Sequence, residues 1–245
     1  MGGAATLQFA CDYPDRLSHL ITMGAGAPGL NIIQPNGPLE GIKIVEVAMW
    51  AFVPACGGML SDLGADVIKV EPPSGDPLRG LQIGGMGGGA IDYSWESYNR
   101  GKRSITLDLK TDAGREVLMK LCEGADVFLT NLLPPARRSM GIDAGSIRAR
   151  FPDIIYASGS GSGPNGPEKD KGGYDAISYW ARGSISATMT EDGADRPVGP
   201  PGPAFGDTAS GAMLSGAISA ALVKRLRTGE GSTVDVSLLG TAMWS

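Results

Sequence analysis

The chain contains one histidine, His19, and three widely spaced cysteines, Cys11, Cys56 and Cys122, with no C-x-x-C pattern. Ser–His and Cys–His nucleophilic pairs and histidine-ligated metals all need an imidazole. His19 sits in the stretch LSHLITM, where a structural role fits best. The thiols read as small buried apolar residues, in a pattern that suits a reducing cytosol rather than a disulfide framework or a zinc site. Asp207, in PAFGDTASGAM, directly precedes a long helical pattern. As an N-cap, its carboxylate would accept a free backbone N–H. As a nucleophile, it would be held anionic by the helix N-terminus. The two roles are compatible, and Gly206 and Gly211 are expected to leave space for a substrate beside it.

The elements that must position Asp207 alternate regularly from Gly41 onward. IKIVEV reads as a strand, PACGGMLSDL as a helix with Gly64 at its C′ position, and ADVIKVE as a strand. After a long loop come SITLDL (strand), DAGREVLMKLCE (helix, with Gly124 at its end) and ADVFLTN (strand). A short helical region near 143–150, the strand DIIYASG, a Gly/Pro loop, the helix DTASGAMLSGAISAALVKRL and the strand STVDVSLL complete the series. Strands apolar on both faces that alternate with helices predict an α/β fold with a doubly wound, Rossmann-like parallel sheet. Right-handed crossovers would place functional loops at the carboxyl ends of the strands. The glycine run at 84–89 reads as a flexible insertion.

With 245 residues, 42% of them hydrophobic and 19% charged, the chain can bury a proper core. A net charge of −5 argues against a general nucleic-acid or anionic-membrane binder. No apolar run approaches the ~18 residues that a membrane helix needs. The opening MGGAATLQFACDYPDRL lacks the basic start of a secretory signal, and a cytoplasmic setting is expected.

Several strings together carry a resemblance. They are EGIKIVEVAMWAFVPACGGMLSDLGADVIKVEPPSGDPLRG, NRGKRSITLDLKTDAGREVLMKLCEGADVFLTN, FPDIIYASGSGSGPNGPEKDKGGYDAISYWARG, and the run from Phe205 to Leu239. In this order they resemble the class III CoA-transferases, the group of formyl-CoA and carnitine CoA-transferases, over residues 37–245. The resemblance implies transfer of CoA between an acyl-CoA thioester and a carboxylic acid, with the CoA ester as substrate and no separate cofactor or metal. It puts the nucleophile at Asp207. It aligns Met49, Trp50, Ala51 and Phe52 with a loop that lies along CoA, and Lys110 and Asn131 with further CoA contacts.

Phosphate binding needs cationic donors, and Arg79, Lys102, Arg103, Arg137 and Arg138 are the candidates. The family often has an arginine where Ser139 stands, and Trp50 and Phe52 are bulkier than usual in their loop. Related α-methylacyl-CoA racemases carry a histidine where this chain has Tyr174. A phenol is poorly matched to proton exchange at neutral pH, which favours transfer over racemisation. A catalytically silent CoA-binding chain is the remaining alternative.

Residues 1–36 read as a separate piece, ending in the linker-like GAGAPGLNIIQPNGP. They resemble the segment of an α/β-hydrolase that follows its nucleophile elbow, without the serine, acid or histidine that such chemistry needs. The smaller second domain of CoA-transferases is expected to lie outside this sequence. Family subunits interlock as a homodimer, a chain of this length is not expected to close that ring, and exposed apolar surface is the expected result.

Overall fold

The computed structural model describes residues 37–81 and 92–245. The readings of residues 1–36, with Cys11 and His19, and of the glycine run 84–89 fall outside them. In chain order the elements are β1 (Lys43–Val47), α1 (Phe52–Asp62), β2 (Asp66–Glu71), α2 (Tyr93–Asn99), β3 (Arg103–Thr106), α3 (Asp112–Cys122) and β4 (Val127–Thr130). They continue with α4 (Pro134–Ser139), α5 (Ala144–Arg150), β5 (Ile155–Ser160), a π-helical segment (Asp175–Ala181) and α6 (Ile185–Met189). The 24-residue α7 (Phe205–Thr228), β6 (Thr233–Ser237) and α8 (Leu238–Trp244) follow.

The strands form one six-stranded sheet in the order β3-β2-β1-β4-β5-β6. Every pairing is parallel. This confirms the doubly wound α/β reading. The chain builds outward from β1 in one direction, then returns to β1's other edge and builds the opposite way. The reversal between β1 and β4 leaves a crevice at their carboxyl ends, the usual place for a ligand in such sheets.

Alternation along the strands creates two cores. Ile44, Val127, Leu129, Ile155 and Ala157 face one layer with Phe52, Leu60, Leu214, Ile218 and Leu222 from α1 and α7. Val45, Val47, Phe128 and Tyr156 face the other, with Leu118 from α3 and Ile147 from α5. Phe128 and Tyr156 stack there with ring centroids 5.4 Å apart. Because side chains alternate sides along a strand, a strand covered on both faces must be apolar throughout. The described thiols behave as expected: Cys56 and Cys122 are free and buried.

Gly211 is the contact between α7 and α1. A Cβ there would lie 3.0 Å from Ala55 Cβ and 3.0 Å from the Phe52 carbonyl oxygen. A Cβ at Gly206 would meet Tyr179 Cγ at 2.2 Å. The space expected beside Asp207 from these two glycines is therefore filled by packed protein. The predicted last strand also divides: it stops at Ser237, whose hydroxyl accepts the Gly240 N–H at 3.0 Å and starts α8. Among the described residues, no helix is long and apolar enough to cross a membrane.

Candidate active site

The loop after β1 is pinned to the end of β4. Asn131 accepts the Met49 N–H through Oδ1 at 3.0 Å and donates to the Met49 carbonyl through Nδ2 at 2.6 Å. Thr130 Oγ1 donates to the Val47 carbonyl at 2.8 Å. These bonds span the point where the strand order reverses. Trp50 has φ of 68°, and its ring meets Tyr174 edge-on, with centroids 6.0 Å apart and planes at 89°.

A cleft of about 260 Å³ opens beside this loop. Its lining includes Met49, Trp50, Phe52, Asn131, Arg137 and Asp207, residues far apart in sequence. Tyr174, Lys169 and Lys171 lie on it too.

Asp207 is not the N-cap. Helix α7 begins at Phe205, and Ala204, with φ of 55°, occupies the cap position without a side-chain bond. The missing acceptor comes from elsewhere: Asp175 Oδ1 takes the Gly206 N–H at 2.9 Å, and the Asp175 carboxylate also accepts the Phe205 amide. An orphan helix donor can be satisfied by any acceptor that reaches it. With that role filled, Asp207 stands in the first turn, and no hydrogen bond to its carboxylate occurs among the described residues.

The electrostatics also correct the sequence reading. Burial pushes the Asp207 carboxyl up to about 7, and the negative charge of Asp175 adds to the rise. The helix terminus thus does not hold it firmly anionic. Asp175 is raised as well, by its own burial, against the two amide bonds that favour its charge. A buried carboxyl near neutrality on the wall of a cleft, with no hydrogen-bond partner among the described residues, has the chemistry a nucleophile needs once ionised.

The predicted cations divide sharply. Arg137 lines the cleft, donates to Tyr156 Oη at 3.3 Å through Nη1, and has a buried Nε without a partner among the described residues. Arg138, one step around α4, points away and pairs with Asp170 at 3.3 Å. Successive helix residues diverge by about 100°, so both cannot face one cleft. Arg79 is bound to Glu71 by two hydrogen bonds of 2.7 and 2.8 Å and lies 3.6 Å from the Trp95 ring centroid. Lys102 is paired with Glu46 at 2.8 Å. Arg103 pairs with Asp66 at the amino ends of β3 and β2, the wrong end of the sheet. Lys110 is exposed in the turn after the edge strand β3, and Ala51 is buried behind its loop; neither lines the cleft.

Sequence reasoning missed Asp175, Lys169 and Lys171. The string GYD contained a signal, since an acidic residue directly after Tyr174 must face a different direction from the tyrosine.

The fold and cleft define a Rossmann-ordered α/β domain with a carboxylate at the switch point. The sequence profile of CoA-transferase family III matches residues 39–245, and the chain belongs to that family. It is 38% identical over 209 residues to a (R)-2-hydroxy-4-methylpentanoate CoA-transferase of Clostridioides difficile, covering 84% of this chain and 52% of that protein. A human succinyl-CoA:glutarate CoA-transferase is 37% identical over 205 residues, with 83% and 46% covered. The crystal structure of a CAIB/BAIF family protein from Brucella suis superposes with a TM-score of 0.76 at 38% identity, covering 84% of this chain and 55% of that one. The chain spans about half the length of the curated relatives it matches.

Proposed function

We propose that this chain supplies the nucleophile and part of the CoA-binding surface of an acyl-CoA:carboxylate CoA-transferase. The observation that carries the reading is the Asp207 carboxylate, which accepts no hydrogen bond among the described residues, on the wall of the switch-point cleft. In the ionised state an Asp207 oxygen attacks the thioester carbon, the C–S bond breaks, and CoA leaves as thiolate from an aspartyl–acyl anhydride. The thiolate then attacks the aspartyl carbonyl, releasing the donor acid as carboxylate and forming an aspartyl-CoA thioester. The acceptor carboxylate attacks this thioester, CoA thiolate leaves again, and its attack on the acceptor acyl carbon of the new anhydride yields the new acyl-CoA and free Asp207. Each step exchanges one acyl bond for another, and the covalent route divides one hard transfer into several easier ones.

The remaining cleft residues suit the thioester end of CoA. Met49, Trp50 and Phe52 offer apolar surface, Asn131 holds their loop, and Arg137 and Lys169 offer positive charge to an anionic part of the substrate. The acting assembly proposed from the resemblance is a homodimer.

Intact-mass measurement of the chain after incubation with succinyl-CoA and other acyl-CoA esters tests the reading. An adduct that maps to Asp207, is removed by hydroxylamine and is absent from Asp207→Asn supports it. A folded chain that forms no adduct, or forms it equally in Asp207→Asn, overturns it for this chain.

A further inference from the structure

Beneath the cleft loop, and outside the cleft lining, lies a set of charged side chains sealed from water. Glu46, Lys69 and Asp76 are exposed by 0, 1 and 2% respectively. Lys69 Nζ donates to Glu46 Oε1 at 3.1 Å and to the Ala48 carbonyl at 2.9 Å, and forms an ion pair with Asp76 Oδ2 at 2.9 Å. Lys102 Nζ closes the other side, on Glu46 Oε2 and the Pro54 carbonyl, both at 2.8 Å, and on Asn99 Oδ1 at 3.2 Å. Two acids and two ammoniums thus balance in the interior.

Burying such a network costs desolvation that an apolar core would not incur, so stability alone does not explain it. Its contacts do suggest a purpose. Asp76 Oδ1 accepts the Trp50 N–H at 3.1 Å, and also the Leu78 N–H at 2.9 Å. With Lys69 on the Ala48 carbonyl and Asn131 on both polar groups of Met49, consecutive backbone groups from Ala48 to Trp50 are fixed by side chains. The last of them holds Trp50 in the left-handed region, which a residue with a side chain disfavours unless its surroundings impose it.

We infer that Asp76, oriented by Lys69, is a positioning residue that holds Trp50 left-handed and so presents its indole, edge-on to Tyr174, as a wall of the cleft. Glu71 braces Asp76 from behind by accepting its N–H at 3.1 Å. The inference rests on the proposed function only for what the wall is for; the clamp itself can be measured without any acyl-CoA.

The test is hydrogen exchange on chain labelled with ¹⁵N-tryptophan, with Trp50 assigned by Trp50→Phe among the four tryptophans. In Asp76→Ala the Trp50 amide is expected to exchange about tenfold to a hundredfold faster, the loss of a bond to a charged acceptor. The amides of Trp180 and Trp244 should keep their rates, and the Trp50 indole resonance should move. Asp76→Asn keeps an acceptor oxygen and is expected to lie between, about fivefold faster than parent; it decides the matter if Asp76→Ala fails to fold. A Trp50 amide at the parent rate in the folded variants, or equal acceleration of all tryptophan amides, overturns the inference. Because no ligand enters the measurement, failure here is distinct from failure to form the Asp207 adduct.

Discussion

Asp175, not Asp207, fills the capping role that the sequence suggested for Asp207, which leaves Asp207 to the proposed nucleophile role. Asp175 caps α7, and the Asp207 carboxyl, without a hydrogen bond among the described residues, is raised to about 7 by burial first and by Asp175 second. Only the anion can attack, so the rate of adduct formation should rise with pH and level off above a midpoint near 7. Asp175→Asn retains a capping oxygen but removes the charge. It should move that midpoint downward without reaching the ordinary carboxylate range, since burial remains; a midpoint that does not move contradicts the assignment. The same shift bears on stability. A carboxyl raised on folding binds more protons in the native chain between its unfolded value near 4 and about 7. Stability from this group is therefore full below that window and falls as pH rises through it. Asp207→Asn should flatten that slope in denaturant titrations at pH 5 and pH 8. That Asp207 stands in the first turn of α7 was legible in the sequence because the start of a helix is a local signal. The capping role of Asp175 was not, because it depends on a contact between residues 31 positions apart.

At the scale of elements, α7 shows why glycine counts alone mislead. Gly211 lies where α7 presses on α1, whereas a Cβ at Gly216 would meet nothing within 4 Å. Gly211→Val should destabilise the fold by about 1–3 kcal/mol through overpacking. Gly216→Ala should stabilise it by about 0.5–1 kcal/mol through helix propensity. Urea unfolding of the two variants reads both, and equal signs would refute the packing account. Strand identities were readable because double-sided burial demands uninterrupted apolar runs. The boundary at Phe205 was not, since its capping oxygen arrives from Asp175, 31 positions away from the amide it accepts.

For the whole molecule, composition and rhythm indicated a parallel doubly wound sheet, and the structure supplied the strand order and the location of the crevice. Which cations reach that crevice could not be read from charge alone, because Lys102, Arg103 and Arg79 are taken by the strand carboxylates Glu46, Asp66 and Glu71 respectively. Some apolar side chains stay outside both cores: Leu226, Met243 and Trp244 are 79, 77 and 82% exposed. Trp244→Ser should therefore change unfolding free energy by less than about 0.5 kcal/mol, and a larger loss in thermal or urea melts would mean that the residue is covered in solution.

The order of the strands also has a consequence for how the chain is made. During translation β1 can pair with β2, and β2 with β3, soon after each emerges, but the other edge of β1 must wait for β4. Lys43 and Asp126, which bond across that seam, are 83 residues apart. At ribosomal speeds the delay is on the order of ten seconds, during which an apolar strand edge lies open inside the cell. The nascent chain is most exposed to mispairing on the side where the switch-point crevice will later form.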